Sequence, residues 1–397
     1  MAGNPVPVPL KGVIDEKILC IEDLRQAASK KLPAGARVFN SGSTDQVTIF
    51  ENTSAYSKYR VRPRVLVDVS QADTSTTCLG HRVSFPLGVS PAGIQAMAHP
   101  DGEVAAARAC ARRGVNMAIS SFANYSVKEI REAGLSIGPI KSAMQLYTMK
   151  DRDLELKIIQ KAEAEGCSAI FLTADSPVLG VRYNEWRNDF RTPKGLSFPI
   201  IEWSSEDIQN RTHDSGFTTF NDDAHNWARD IPWLRSVTGM EIWIKGVLTA
   251  EDTLKAVEMG CDGIIVSNHG GRQLDGVPAT IDALPECVEA AAGKIRVHVD
   301  GGIRSGTDLF KALALGAEYV WVGRPAIWGL AVTSSFTCML TKLTVIQYDG
   351  EKGVDMMLDT FYNEFKRCMQ LTGCNSVKDI TKACLGVVRS DGPLARL

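Results

Sequence analysis

The chain has 397 residues, of which 44% are hydrophobic and 23% charged, a composition typical of a globular enzyme. This length suffices for one large barrel with a small extension or for two ordinary domains. The formal net charge of −2 gives no reason to expect nucleic acid as a partner, and no apolar run approaches the roughly 18–20 residues that span a membrane. The ten cysteines lack C-x-x-C pairs and metal-like spacing, so we expect free thiols and no metal site.

Residues 1–84 precede any regular alternation of elements and are predicted to form an N-terminal helical cap. The run CIEDLRQAASKKL has the pattern of a helix, and the basic run KYRVRPRVLVDVS is predicted to be extended. We expect this segment to cover one end of the domain that follows it.

From residue 85, short apolar runs and helical stretches alternate eight times. The runs show no polar alternation, which predicts strands that are covered on both faces. They are Phe85–Ser90, Met117–Ser121, Ser142–Thr148, Ser168–Asp175, Glu241–Gly246, Gly263–Asn268, Arg296–Gly302 and Tyr319–Arg324. Helical stretches such as GEVAAARACARRG end in glycine, as helix C-termini commonly do. The alternation predicts an α/β fold, a (β/α)8 TIM barrel over residues 85–385, with residues 386–397 as a tail.

A long polar segment, residues 183–230, follows the fourth predicted strand. Loops at that end of the strands lie on the face that carries the active site in such barrels. A long insertion there is typically a lid or a disordered loop. Because the barrel does not need this segment for stability, we expect it to serve function.

Polar and glycine residues collect where the predicted strands end, on the same face. Charged groups at buried strand ends are costly unless they are paired or bind a ligand, so their convergence predicts a site. The candidates are Ser90, Pro91, Ala92, Gly93, Ser120, Gln145, Tyr147, Thr173, Asp175, Lys245, Ser267, His269, Asp300, Gly302, Gly323 and Arg324.

The segment SNHGGRQLDG, residues 267–276, carries the most chemical information. Two glycines open a turn that lets backbone approach a flat ligand, and His269 beside them can accept a proton near neutral pH. Three residues further on, Arg272 can grip a carboxylate with two parallel hydrogen bonds. The alternative is a capped turn with a solvated arginine.

Two glycine-rich strand ends, VDGGIRSGTD and WVGRP, predict a phosphate site that uses Arg304 and Arg324. Barrels often bind phosphate after strands seven and eight, where helix N-termini favour an anion. Lys245, at a buried strand end, is a Schiff-base amine, a fixed cation beside an anion, or part of a rim salt bridge. Asp175 is either the residue that orients His269 or the N-cap of the next helix.

These motifs together resemble the FMN-dependent 2-hydroxy-acid oxidases and dehydrogenases, the family of glycolate oxidase, lactate oxidase and the flavin domain of flavocytochrome b2. The resemblance runs from about residue 20 to about residue 385. It includes RPRVLVDVS, MAHPDGE, QLY, LTADSP-x-LG-x-R, KGVLTAEDT, SNHGGRQLDG, PATIDAL, VDGGIRSGTDLFKALALGA and VGRP. It implies FMN as cofactor, a small carboxylic acid as substrate and a homo-oligomer, a tetramer by family habit.

The resemblance also implies a role for each matching residue in an (S)-2-hydroxy-acid oxidase or dehydrogenase. His269 takes the substrate proton as a hydride passes from the α-carbon to flavin N5, and Asp175 stabilises the imidazolium. Arg272 and Arg182 hold the carboxylate, Tyr147 hydrogen-bonds the substrate oxygen, and Lys245 neutralises charge near flavin N1. The flavin contacts are assigned to Pro91, Ala92, Gly93, Ser120, Gln145, Thr173 and Ser267, and the phosphate contacts to Asp300, Gly302, Arg304, Gly323 and Arg324.

Three positions depart from the family pattern. Val38 stands where the family has a tyrosine that helps to bind the carboxylate, and Phe122 replaces a tryptophan on the second strand. Both changes make the pocket less polar, so we expect a larger apolar acid as substrate; the alternative is dehydrogenation of an amino-acid-like or cyclic carboxylate in specialised metabolism. Gly93 stands where many fast oxidases of the family have alanine, which leaves the electron acceptor open between oxygen and another molecule.

Further alternatives are a non-catalytic FMN-binding scaffold and a phosphosugar enzyme without flavin. The retained Tyr147, Asp175, Lys245, His269 and Arg272 argue against a scaffold, which need not keep them. The ending Ala395-Arg396-Leu397 resembles a peroxisomal address, so we expect a peroxisomal location or otherwise a cytoplasmic one.

Overall fold

The computed structural model describes residues 18–32, 40–209, 212–332, 335–337, 344–346, 350–388 and 395–396. Two predicted features lie outside these residues, namely the pocket position Val38 and the terminal Leu397. Among the described residues, no helix is long and apolar enough to cross a membrane.

The helices and strands alternate along most of the described chain. The helices are α1 (Ile21–Lys31), α2 (Val47–Ser54), α3 (Gly102–Arg113), α4 (Val127–Leu135), α5 (Arg152–Ala164), α6 (Tyr183–Arg187), α7 (Ser205–Gln209), α8 (His213–Phe220), α9 (Trp227–Val237), α10 (Ala250–Glu258), α11 (Thr280–Ala291), α12 (Gly306–Ala314), α13 (Arg324–Ala331) and α14 (Gly350–Thr372). The strands are β1 (Tyr59–Val61), β2 (Thr76–Cys78), β3 (His81–Val83), β4 (Leu87–Val89), β5 (Met117–Ile119), β6 (Ser142–Leu146), β7 (Ala169–Thr173), β8 (Glu241–Val247), β9 (Gly263–Val266), β10 (Arg296–Asp300), β11 (Tyr319–Val322), β12 (Ser335–Thr337), β13 (Thr344–Ile346), β14 (Leu385–Val387) and β15 (Ala395–Arg396).

Strands β4 to β11 close into a barrel in which every neighbouring pair is parallel, and β11 returns to pair with β4. This confirms the predicted (β/α)8 fold, and most of the strands are shorter than the apolar runs that predicted them. The helices end as their glycines predicted: Gly114 caps α3 in the left-handed conformation, with φ 63°. Helix α10 begins at a Thr249 cap, whose side chain accepts a hydrogen bond from the backbone of Asp252.

Aromatic side chains fill the interior of the barrel. Phe171, Trp243, Tyr319 and Trp321 are almost fully buried there, and the rings of Phe171 and Trp321 pack edge to face with centroids 5.2 Å apart. The Trp321 indole donates a hydrogen bond to Nδ1 of His298 at 3.1 Å. A barrel packed in this way is a solid core and not a pore, so a ligand has to bind at one end of the strands.

The N-terminal segment is attached to the barrel by specific polar contacts. Asp275, from the loop after β9, accepts hydrogen bonds from the backbone of Val47 and Thr48 and so caps α2. The amides of Asn52 and Asn268 exchange two hydrogen bonds of 2.8 Å each. These contacts hold the cap segment against the loop that carries His269.

The cap segment also contacts the C-terminal region, because β1 pairs antiparallel with β14. Helix α14 packs along α13 and α3, where Arg113 pairs with Asp355 and Asp359. The proposed division into a cap (1–84), a barrel (85–385) and a tail (386–397) stays a prediction, since this pairing joins parts of the cap and the tail in one small sheet.

The described part of the segment 183–230 contains short helices that are joined by longer non-helical stretches. It contains α6, α7 and α8 and the beginning of α9. Phe198 and Phe217 from this segment are buried and line a cavity at the carboxyl ends of the barrel strands. The segment therefore covers the face on which the sequence places the site.

Candidate active site

A cavity of about 1620 Å³, including its opening to solvent, lies at the carboxyl ends of the barrel strands. Its lining comes from the ends of most barrel strands and from the segment 183–230. The predicted residues that line it are Pro91, Ala92, Gly93, Ser120, Phe122, Gln145, Tyr147, Thr173, Arg182, Lys245, His269, Arg272, Asp300, Gly302, Arg304, Gly323 and Arg324. Asp175 and Ser267 lie immediately behind this lining, in contact with His269 and Lys245.

His269 and Asp175 form a hydrogen-bonded pair at the centre of the site. Nδ1 of His269 lies 2.9 Å from Oδ1 of Asp175, which leaves Nε2 as the ring nitrogen available to a ligand. The backbone of His269 adopts φ 56°, a left-handed conformation that few non-glycine residues take, although histidine takes it more often than most. Asp175 therefore contacts the His269 ring, and the N-cap of the next helix, α6, is Arg182 instead.

The electrostatic surroundings keep His269 in the form that accepts a proton. Burial lowers the pKa of the imidazole below its ordinary value of 6.5, although the Asp175 carboxylate opposes this shift. Burial would raise the pKa of Asp175, but His269 and Lys245 outweigh it and hold that pKa low. At neutral pH the pair is accordingly a neutral imidazole beside a carboxylate.

Gly246 makes the space in which Asp175 lies. It falls at an irregularity of β8 between Lys245 and Val247, and its backbone has φ +109°. A Cβ atom at this position would lie 2.5 Å from Cβ of Asp175, closer than real Cβ contacts come. The position of Asp175 therefore depends on a glycine on the neighbouring strand.

We expect Gly246→Ala to displace Asp175 and to lower the rate at which the flavin implied by the family resemblance is reduced, by about 10²-fold, the effect typical of a misplacement of about 1 Å. The matched control is Gly260→Ala: Gly260 also has a positive φ, of +68°, but nothing lies within 4 Å of its Cβ position. The measurement is the anaerobic rate of flavin reduction in both variants. Equal rates in the two variants would mean that backbone strain, and not the displacement of Asp175, explains any loss.

Lys245 is a fixed cation at the rim of the barrel. Its Nζ atom lies 3.2 Å from Oδ2 of Asp300 and donates a hydrogen bond of 2.9 Å to Oγ of Ser267. Burial alone would lower the pKa of this amine, but Asp300 and Asp175 outweigh burial and raise it. A Schiff-base nucleophile needs an unprotonated amine, so the arrangement favours the cation.

A row of polar side chains follows Lys245 around the rim. The Gln145 amide donates a hydrogen bond to Oγ1 of Thr173 at 3.0 Å and accepts one from the backbone of Ser121. On the next strand end, a Cβ atom at Gly93 would lie 2.8 Å from Cβ of Phe122. The backbone at Gly93 therefore packs closely against Phe122. This part of the rim exposes backbone and short polar groups to the cavity, and such a surface suits a flat ring.

Two buried guanidinium groups, those of Arg304 and Arg324, follow β10 and β11. Burial lowers the pKa of Arg304 to about 10. Burial and the neighbouring Arg304, Arg272 and Arg182 lower the pKa of Arg324 well below its ordinary value. An anion bound at this place would relieve the repulsion among these cations.

Arg182 and Arg272 converge in another part of the cavity lining. The Arg182 Nε atom donates to the backbone oxygen of Arg272 at 3.1 Å. Both guanidinium groups also contact the buried carboxylate of Glu185, at 3.4 Å from Arg182 and 3.1 Å from Arg272. The sequence motifs did not single out Glu185; its spacing of three from Arg182 is the only signal that could have done so.

Aromatic side chains form the remaining wall, which we call the aromatic wall: Phe122, Phe198, Trp203 and Phe217. Phe122 packs against Phe198 with ring centroids 5.5 Å apart. Phe217 meets Tyr147 edge to face, with centroids 5.2 Å apart. Only Phe122 among the four was predicted, because the others come from the insertion 183–230, whose sequence carries no periodic pattern.

A family model described as "FMN-dependent dehydrogenase" matches residues 28–387 of this chain, more than half of its length. The chain belongs to the FMN-dependent dehydrogenase family.

Relatives in this family cover almost the whole chain. It is 42% identical over 383 residues to the "Oxidase FUB9" of Fusarium oxysporum f. sp. lycopersici, covering 95% of this chain and 94% of that protein. It is 43% identical over 374 residues to the "2-Hydroxyacid oxidase 1" of Homo sapiens, covering 92% and 96%. A solved structure of mandelate oxidase with (S)-4-hydroxymandelic acid matches with a TM-score of 0.83 and 32% identity, covering 96% of this chain and 100% of that one.

As a member of the FMN-dependent dehydrogenase family, the enzyme uses FMN to oxidise 2-hydroxy acids. The cavity fits this cofactor in ways that are independent of the family match. Oγ of Ser90 and Oδ1 of Asp300 are buried without a hydrogen-bond partner among the described residues, and both residues line the cavity. A polar ring system beside Lys245 and a phosphate at Arg304 and Arg324 would satisfy groups that are otherwise costly to bury.

Proposed function

We propose that the enzyme oxidises the α-carbon of a 2-hydroxy acid with a large apolar, ring-sized side chain and yields the 2-oxo acid. The observation that carries this proposal is the aromatic wall, which shares one cavity with His269 and Arg272. Apolar walls of this kind favour a large side chain, because burial of apolar area stabilises the complex by about 25 cal/mol per Å².

His269 is the base in this proposal. Its Nε2 atom accepts the proton of the substrate hydroxyl, and the imidazolium that results is stabilised by the Asp175 carboxylate at Nδ1. FMN, when bound, supplies the acceptor for the hydride equivalent that leaves the α-carbon. Because the site is partly buried, water screens the Asp175 charge less, and its attraction to the imidazolium is stronger than it would be in water.

Arg272 and Arg182 hold the substrate carboxylate in this proposal. Arg272 presents a planar fork that matches two carboxylate oxygens. Burial, then the Asp175 charge, raises the pKa of the Tyr147 hydroxyl well above its ordinary value, so it stays protonated and can donate a hydrogen bond to the substrate oxygen. The wall and these donors together bind and orient the acid, and the covering segment 183–230 limits water.

The residues proposed to hold FMN divide into two groups. Pro91, Ala92, Gly93, Ser120, Gln145, Thr173, Ser267 and Lys245 would surround the ring system, with Lys245 as the positive charge. Asp300, Gly302, Arg304, Gly323 and Arg324 would hold the ribityl and phosphate end, next to the N-terminus of α13.

The test is an anaerobic screen in which candidate acids reduce the flavin and bleach its absorbance. We expect reduction by 2-hydroxy acids with ring-bearing or branched side chains. Reduction by 2-amino or cyclic imino acids, and not by hydroxy acids, would favour the alternative dehydrogenation of an amino-acid-like carboxylate. A yellow protein that no acid reduces would indicate a scaffold, and a colourless protein would contradict flavin binding.

Two further features stay predictions from the family resemblance. One is the electron acceptor, oxygen or another molecule, and the other is a homo-oligomer. Gly93 bears on the first, because the family resemblance places alanine at this position in many fast oxidases.

A further inference from the structure

The side chain of Asn124 joins three loops. Asn124 follows β5, two residues beyond Phe122. Its Oδ1 atom accepts a hydrogen bond from the backbone N–H of Ala96 at 3.1 Å, and its Nδ2 atom donates one to the backbone oxygen of Ser197 at 3.0 Å. The loops after β4 and β5 and the insertion 183–230 therefore meet here. The side chain needs both an acceptor and a donor, because one of its partners donates and the other accepts.

Ser197 lies at the entrance to a short loop, residues 198–203, which we call the aromatic loop. The backbones of Phe198 and Trp203 exchange two hydrogen bonds, of 2.9 and 3.1 Å, and so close this loop. Both rings line the cavity and pack edge to face against Phe122, with centroids 5.5 and 6.5 Å away. A change in the direction of the chain at Ser197 would therefore move both rings.

Two further contacts hold the aromatic loop on the barrel, and neither fixes its direction. Ile200 and Ile201 are buried in the core, with 4% and 0% exposure, and apolar packing is not directional. Lys161 contacts Glu202 at 3.1 Å, but the two side chains are 58% and 48% exposed, and exposed ion pairs contribute little. Loss of the hydrogen bond from Asn124 should therefore leave the aromatic loop attached but free to shift.

The acceptor atom of Asn124 holds the loop after β4, which includes Gly93 at the rim. In that loop the backbone of Ile94 also donates a hydrogen bond of 2.9 Å to the oxygen of Phe122. The loop after β4 is thus attached to the loop after β5 twice, through Ile94 and through Ala96. A variant that loses only the donor of Asn124 should leave the rim in place.

We propose that Asn124 is a positioning residue: through Ser197 it fixes Phe198 in the aromatic wall, and so it strengthens the preference for ring-bearing acids. Asn124 lies outside the cavity lining, so it acts through the aromatic loop and not by contact with a ligand. This inference rests on the proposed function, which assigns the aromatic wall to the side chain of the substrate.

The test measures the binding of phenylacetate and of acetate to the FMN-loaded enzyme by titration calorimetry. Neither acid has a 2-hydroxyl group, so the proposed reaction consumes neither, and the ratio of their dissociation constants measures the contribution of the ring. We expect the wild-type enzyme to bind phenylacetate on the order of 10²-fold more tightly than acetate. A wild-type enzyme without this preference would remove the aromatic wall as the side-chain site, and this inference with it.

Asn124→Asp separates the two hydrogen bonds, since a carboxylate still accepts from Ala96 but has no proton to donate to Ser197. We expect the preference for phenylacetate to fall by about fivefold to tenfold, the scale of one lost hydrogen bond. The added charge acts on the carboxylate of both acids, so it cancels in the ratio. Asn188→Asp adds the same charge at an exposed position of the insertion and should retain the wild-type ratio.

Asn124→Ala loses both hydrogen bonds without adding a charge. It should lower the preference at least as far as Asn124→Asp, and it decides the test if the aspartate variant does not bind FMN. A wild-type ratio in the variant that binds FMN would overturn the proposal.

Phe198→Ala shows whether Asn124 acts through the ring. In a Phe198→Ala background, Asn124→Asp should change the ratio by at most about twofold, because the ring that transmits its effect is already absent. An equal fall in both backgrounds would contradict the proposal. The binding assay does not require turnover. If no hydroxy acid reduced the flavin while Asn124→Asp lowered the preference, the proposed reaction would fail and the role of Asn124 would stand.

Discussion

Replacing His269 by glutamine is expected to slow anaerobic flavin reduction by ~10²–10⁴-fold, the range typical for loss of a general base. Glutamine is close in size and polar but does not accept a proton in this pH range. The Asp175 carboxylate would lose the imidazolium that it stabilises in the wild-type enzyme. The measurement is the single-turnover rate of flavin reduction by the best acid of the screen, with bound FMN checked from its absorbance.

The pH dependence of the same rate provides the control. Since burial lowers the pKa of His269 below 6.5, the neutral base is fully present above that pKa, and the wild-type rate should fall only as the pH drops through it. The acid limb should disappear in His269→Gln. His81→Gln, on β3 and outside the cavity lining, should keep both the rate and the limb. A glutamine variant that reduces flavin at a near-normal rate would remove His269 from the mechanism.

The second large effect is the preference for ring-bearing acids. We expect mandelate to reduce the flavin on the order of 10²-fold faster than glycolate at low concentration, because a phenyl ring buries roughly 100–150 Å² against the aromatic wall at about 25 cal/mol per Å². The measurement is the second-order rate constant of flavin reduction for both acids. Glycolate as the better substrate would contradict the assignment of the wall as the side-chain site.

Phe217→Ala tests the same assignment from the side of the protein. Removing this ring opens the wall beside Tyr147 and should reduce the advantage of mandelate over glycolate by about tenfold. The matched control is Phe50→Ala, because Phe50 lies in the cap helix α2 and is 70% exposed. Loss of both activities in equal proportion would indicate a displaced Tyr147 and not a lost side-chain contact.

The aromatic wall contains pocket residues that the sequence did not predict. Phe122 was predicted because it follows a barrel strand. The family resemblance covers that region, and it places a tryptophan at this position. Phe198, Trp203 and Phe217 come from the segment 183–230, and their contacts with Phe122 and Tyr147 join residues far apart in sequence. No local sequence pattern predicts contacts between residues so far apart. Val38, which was predicted to lie in the pocket, is outside the described residues.

By itself the sequence determined the barrel and the chemical inventory of the site. Eight apolar runs followed by helical stretches specify parallel strands through local periodicity, and parallel strands place their ends on one face. This is why the sequence assigns His269, Asp175 and Lys245 to one site. The turn SNHGGRQLDG predicted a candidate base, His269, and a candidate carboxylate clamp, Arg272, from residue types that are adjacent along the chain.

Only the tertiary structure decided how these groups are charged and where they point. The fixed cation at Lys245 depends on Asp300 from another strand, and the place of Asp175 depends on Gly246 of β8. The shared carboxylate of Glu185 depends on two loops that meet across the cavity. The physical reason is that burial and charge interactions act through space, between residues whose separation along the chain says nothing about their distance.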